Sequence, residues 1–209
     1  MKLLEIDGIS AAIHHCGNRF IICCHGLYSN KDSKKYIELA EKSCKHGISC
    51  VRFDFRGCGE SKGRFEDSIL SNRLKDLDKV INFIKKEYNA KISLFGSSFG
   101  GMVSIIYASL HKIKPIALIS TPYKIDGIDK KFVEDASKYD ILKMMKRISH
   151  VLIIHGKKDE LVPYMHAEKL FSNARHPKKL VFLNADHSFS SDEERNKALN
   201  EVINWIAMF

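Results

Sequence analysis

Gly96-Ser97-Ser98-Phe99-Gly100 reads G-x-S-x-G, which centres Ser98 two residues from each of two glycines that lack a Cβ. That arrangement suits acyl transfer, with Ser98 as the nucleophile at the apex of a sharp turn. By chance the pattern arises in roughly one chain in fifteen of this length, so its weight comes from context. A serine hydroxyl is a poor nucleophile at neutral pH and needs a base within reach and a third group to orient that base. Asp159, in His155-Gly156-Lys157-Lys158-Asp159-Glu160-Leu161, and His187, in Asn184-Ala185-Asp186-His187-Ser188-Phe189, supply both, in the chain order Ser, Asp, His. Glu160 and Asp186, each beside a favoured residue, are the rival acids, and Ser97 is the competing serine.

Attack on a carbonyl builds charge on its oxygen, which preorganised backbone N–H groups can hold. The residue after the nucleophile gives one donor, Phe99 N–H. The loop Cys24-His25-Gly26-Leu27-Tyr28 gives the second, assigned to Leu27 N–H. His25 inside that loop suits a hydrogen bond that shapes it. His25, Tyr28, Met102, Tyr123 and Phe189 lie near these motifs and are the candidate lining of a substrate pocket, although apolar residues beside a motif are just as often core. His14, His15, His46, His111, His150, His166 and His176 fall mid-strand, on helices or at helix ends, where surface or packing roles are usual.

The elements that must position these residues follow from periodicity. Strand-like runs over 3–6 and 9–14 flank Asp7-Gly8, a tight-turn dipeptide, and predict an antiparallel hairpin. Short apolar runs over 20–24, 49–53, 91–95, 115–120, 151–155 and 179–183 then alternate with helical patterns over 34–45, 67–88, 98–110, 164–173 and 192–208. Apolar strands alternating with amphipathic helices predict an α/β fold with a mostly parallel sheet covered on both faces. In such sheets chemistry collects at the carboxyl ends of the strands, where Ser98, Asp159 and His187 all fall. Two short helical patterns, 130–137 and 140–147, occupy an insertion over 123–149. It reads either as a small lid or as an ordinary crossover, and the spacing leaves both open.

The 209 residues suffice for one domain, 1–209, with a sizeable core, and no Pro-, Gly- or Ser-rich tract suggests a linker. Acidic residues interrupt the N-terminus before a signal-peptide apolar region can form, and no run approaches a membrane span, so a cytoplasmic location is expected. The six cysteines show no CxxC or metal-ligand spacing and are expected to be free, buried thiols. The formal charge of +9 comes from scattered lysines without interleaved aromatics, which points away from nucleic acid as a partner.

From about residue 21 onward the chain resembles the small α/β-hydrolases of the serine aminopeptidase and cinnamoyl-esterase type. His25-Gly26-Leu27-Tyr28-Ser29-Asn30-Lys31 is similar to their oxyanion loop, and Asp54-Phe55-Arg56-Gly57-Cys58-Gly59-Glu60-Ser61 resembles the Asp-x-x-Gly-x-Gly-x-Ser loop after the next strand. The elbow, Asp159 and His187 match family positions. The resemblance implies an α/β-hydrolase fold and a serine hydrolase of carboxylic esters, working on a small acyl or aryl substrate with no metal or organic cofactor. Thioesterase, acylglycerol lipase, aminopeptidase and acyltransferase share the machinery, and a non-catalytic binding protein of the same fold is the alternative from another class. The stretch 123–149 is shorter than the insertion that feruloyl esterases use to contact the aromatic acid, so the resemblance does not fix the substrate.

Overall fold

The computed structural model describes residues 1–209. Eight strands form one sheet: β1 (Lys2–Ile6), β2 (Ile9–His14), β3 (Arg19–Cys24), β4 (Ile48–Phe53), β5 (Lys91–Ser97), β6 (Ile116–Ile119), β7 (Val151–Gly156) and β8 (Lys178–Leu183). Their order is β1-β2-β4-β3-β5-β6-β7-β8. Asp7 and Gly8 both take positive φ, as a tight turn between antiparallel strands requires, and close the β1–β2 hairpin. β2 runs antiparallel to β4, and every later pairing is parallel.

Successive strand side chains point to opposite faces, so a strand buried on both must be apolar throughout. β3 shows this directly. Ile21 and Cys23 face α1 (Lys34–Lys45) and α7 (Asp192–Ala207), packing with Tyr36, Leu39, Val202 and Ile206. Phe20 and Ile22 face the opposite layer, which comprises α2 (Leu70–Tyr88), α3 (Phe99–His111), α4 (Lys130–Ala136), α5 (Ile141–Met145) and α6 (Met165–Asn173). Within the insertion, Phe132, Ile141, Met145 and Ile148 are buried in this main core. Asp135 pins α4 to the start of α2 by accepting from Ser71 N–H at 2.8 Å and Ser71 Oγ at 2.7 Å. α4 and α5 thus form the packed crossover between β6 and β7, and only the segment ahead of them reaches the cleft described below.

Contrary to the expectation from spacing, the cysteines are not all free thiols. Cys16 and Cys44 form a disulfide with Cα atoms 5.3 Å apart, whereas Cys23, Cys24, Cys50 and Cys58 are free and buried. α1 runs back along the sheet and returns its last turn to the segment ahead of β3. That meeting is tertiary, and a separation of 28 residues carries no local signature of it. No helix is long and apolar enough to cross a membrane.

Because β3, β5, β7 and β8 are parallel, the residues that follow them emerge at one edge of the sheet. His25 to Tyr28, Ser98, Asp159 and His187 therefore share that edge.

Candidate active site

β5 runs on to Ser97, pairing Gly96 with Leu118 and Ser97 with Ile119, and α3 begins at Phe99. Ser98 makes the whole turn between them, with φ 52° and ψ −124°. A non-glycine residue held there is strained, and the surroundings must enforce it. Gly100 is part of that enforcement: a Cβ on it would collide with the carbonyl oxygens of Cys24 and His25. The absent side chain lets β3's exit loop press against the turn that carries Ser98.

His187 Nε2 lies 3.1 Å from Ser98 Oγ, and its Nδ1 lies 2.9 Å from both carboxylate oxygens of Asp159. The Ser120 hydroxyl donates to the His187 carbonyl at 2.9 Å and steadies the loop that carries the ring. The Asp159 carboxylate is fully buried and accepts from Leu161 N–H at 3.0 Å and Val162 N–H at 2.8 Å, with His155 Nε2 3.2 Å away. Burial pushes its pKa up. The hydrogen bonds from His155, His187 and Val162 N–H outweigh that effect and hold the carboxyl below the usual range, so it is ionised at neutral pH. The rival acids are placed otherwise: Asp186 accepts from Ser190 N–H, and Glu160 makes no side-chain bond to His187.

The loop from His25 to Tyr28 is held from below. His25 is buried, its Nδ1–H donates to Gly26 O at 2.7 Å, and its Nε2 accepts from Phe55 N–H at 3.0 Å. Burial, with the nearby Arg73 charge, lowers its pKa to about 3, so it stays neutral. Arg73, wholly buried on α2, donates to the carbonyls of His25, Gly26 and Leu27 at 3.1–3.3 Å. Its guanidinium also lies 5.1 Å from the centre of the Phe99 ring. With three consecutive carbonyls turned toward Arg73, the loop's amides are free to face Ser98. Leu27 N–H donates to no acceptor in the chain, and Phe99 N–H opens a helix, where no intrahelical acceptor exists.

The family model described as serine aminopeptidase, S33, matches residues 17–148, and that of the prolyl oligopeptidase family matches residues 118–208. The chain belongs to the serine aminopeptidase S33 family. The uncharacterized protein YfhR of Escherichia coli O157:H7 is 28% identical over 201 residues, covering 89% of this chain and 69% of YfhR. Human palmitoyl-protein thioesterase ABHD10, mitochondrial, is 32% identical over 112 residues, 54% of this chain and 36% of that protein. Among solved structures, ferulic acid-bound Est1E from Butyrivibrio proteoclasticus superposes with a TM-score of 0.84 at 22% identity, covering 100% of this chain and 98% of that one. Mouse alpha/beta hydrolase domain-containing protein 10 gives 0.83 at 19% identity, over 99% and 98%. These likenesses show the α/β-hydrolase fold.

In this S33-family chain a cleft of about 920 Å³ opens at Ser98 and His187. Tyr28 and Tyr123 line it, together with the segment from Pro122 to Ile128. Exposed Tyr28, Leu161 and Met165 give it an apolar rim. His25, Met102 and Phe189, expected in the pocket, do not line it. His25 supports its own loop from beneath, Met102 points into the main core, and Phe189 packs under α7. His166, assigned a packing role from sequence, does line the cleft, and its Nδ1 accepts from Tyr123 N–H at 3.2 Å. Arg73, His155 and Lys35 stand beside the site without any sequence motif that marks them. The one sequence signal for Lys35 is its place four residues before Leu39, on the buried stripe of α1.

Proposed function

We propose that this S33-family hydrolase cleaves carboxylic esters through an acyl-enzyme on Ser98. The observation that carries this reading is the continuous hydrogen-bonded chain from Ser98 Oγ through His187 to the buried, ionised Asp159, set in an open cleft. His187 Nε2 takes the Ser98 proton as Oγ attacks the carbonyl, and Asp159 fixes the tautomer and stabilises the imidazolium. Leu27 and Phe99 N–H hold the oxyanion. As the tetrahedral intermediate collapses, His187 returns the proton to the leaving alcohol. Water then attacks the acyl-enzyme, giving its proton to His187, and the second collapse regenerates the Ser98 hydroxyl as the acid departs. No step calls for a metal or an organic cofactor.

Thioester cleavage is the second reading, favoured by the name of the human relative, a palmitoyl-protein thioesterase, and by the apolar rim of the cleft. A panel of p-nitrophenyl esters from acetate to long acyl chains, with matched acyl thioesters, tests both against a folded Ser98→Ala variant. Ester turnover that the variant loses supports the first reading. Turnover of thioesters alone supports the second, and none of either points to amides or to a binding protein.

A further inference from the structure

The cleft holds a second polar cluster that the Ser98, His187 and Asp159 chain does not use. Lys35 lies in the first turn of α1 on the helix's buried side and is 8% exposed. Its Nζ donates to Ser97 Oγ, the hydroxyl next to the nucleophile, at 2.9 Å. That is its one side-chain hydrogen bond, and it forms no ion pair. Asp186 and Asp159 are the acids whose charge it feels most. Asp159 is held by His187, His155 and two backbone N–H groups, and Asp186 by Ser190. From α7, Arg195 adds a like charge, itself paired with Glu38 and Asp192. Beside Lys35 the buried Tyr36 hydroxyl has no hydrogen-bond partner. Lys35, Tyr36 and Ser97 line the same cleft as Ser98 and His187.

A buried ammonium is costly unless an anion pairs with it, and this one keeps donor capacity unspent. Two hydroxyls stand with it, both able to donate. The cluster is therefore rich in donors and short of one acceptor that carries charge. One cation with two neutral donors balances a single negative charge, which fits a carboxylate better than a doubly charged phosphate.

We infer that Lys35, with Ser97 and Tyr36, forms a subsite for a carboxylate carried by the substrate, so that the preferred ester is an anionic one. The inference rests on the ester-hydrolase reading and names its substrate class. Burial lowers Lys35 to about 8, so the subsite loses its charge as pH rises through that value.

The test compares matched substrates. Mono-p-nitrophenyl succinate and glutarate are set against the butyrate and pentanoate esters, which places the carboxylate on the acyl side. Butyrate esters of 4-hydroxyphenylacetate and of 4-methylphenol place it on the leaving-group side. In wild type at pH 7 one of the two arms is expected to show kcat/KM about ten- to a hundredfold higher for the anionic member, the range of a charge-assisted hydrogen bond. Lys35→Met should bring that ratio to one or below. The wild-type ratio should also fall between pH 7 and 9.5, a readout that survives if the variant does not fold. Ester turnover with no anionic preference in either arm overturns the subsite and leaves the hydrolase reading standing. If no ester is turned over, that reading fails, and glutarate titrated into the protein by NMR decides the subsite. Shifts of cleft resonances that weaken from pH 7 to 9.5 retain it, and their absence overturns it.

Discussion

Arg73→Met removes the brace beneath the loop proposed to hold the oxyanion. In the native chain the guanidinium donates to the carbonyls of His25, Gly26 and Leu27 and to Ser68 O. It has no carboxylate of its own, because the nearby Asp76 is paired with Arg56. Burial lowers its pKa to about 10, which leaves it charged at pH 7. Each buried carbonyl left without a donor costs about 1–3 kcal/mol. Removing an unpaired buried charge offsets part of that loss. The net is about 2–4 kcal/mol, a melting temperature lower by about 5–15 °C for a chain of this size. Deleting an oxyanion donor outright costs about 10²–10³ in kcat. Here Leu27 N–H is displaced rather than deleted, so a loss of about 10- to 100-fold in kcat is expected, with KM changed by less than about threefold. Steady-state kinetics on the best p-nitrophenyl ester, beside thermal unfolding, reads both effects. A folded variant that melts early yet keeps kcat within about twofold would falsify the link between Arg73 and oxyanion geometry.

Asp159→Asn should lower kcat by about 10³–10⁴ at nearly constant KM, the scale for a base left in the wrong tautomer. The same residue shapes acid stability. Its folded pKa is depressed, so its contribution is complete above the unfolded value, near 3.8, and is lost as pH falls below that. Acid unfolding of wild type should therefore steepen below pH 3.8, and the asparagine variant should lack this component. For the cysteines, alkylation of denatured, unreduced protein should modify four thiols and leave Cys16 and Cys44 unlabelled. Closing a loop of 28 residues corresponds to about 3–4 kcal/mol on the chain-entropy scale, so Cys16→Ser should unfold at distinctly lower denaturant. Labelling of all six thiols would contradict the pairing.

Local pattern carried most of the fold. The alternation of apolar runs with amphipathic stretches located every strand and long helix. The G-x-S-x-G spacing picked Ser98 over Ser97, because only Ser98 sits at the centre of the motif, two residues from both Gly96 and Gly100. Chain order and position after strands β7 and β8 singled out Asp159 and His187, which the structure brings within hydrogen-bond reach of each other, with His187 also in reach of Ser98. Pocket lining was less legible. Met102 and Phe189 are near the motifs in sequence, but each side chain follows the face of its own element into the core. The disulfide and the Arg73 brace join residues 28 and about 48 positions apart, so neither leaves a local trace. Lys35 looked like one more surface lysine among many, because its burial depends on how α1 meets the end of β5.

Labelling with a fluorophosphonate, followed by intact mass and peptide mapping, tests the central claim most directly, since the reagent forms a stable adduct with a serine activated by a neighbouring base. One adduct per chain on Ser98 is expected, lost in Ser98→Ala and strongly slowed in His187→Ala. No adduct, or one on Ser97, would contradict the assignment of Ser98 as the nucleophile.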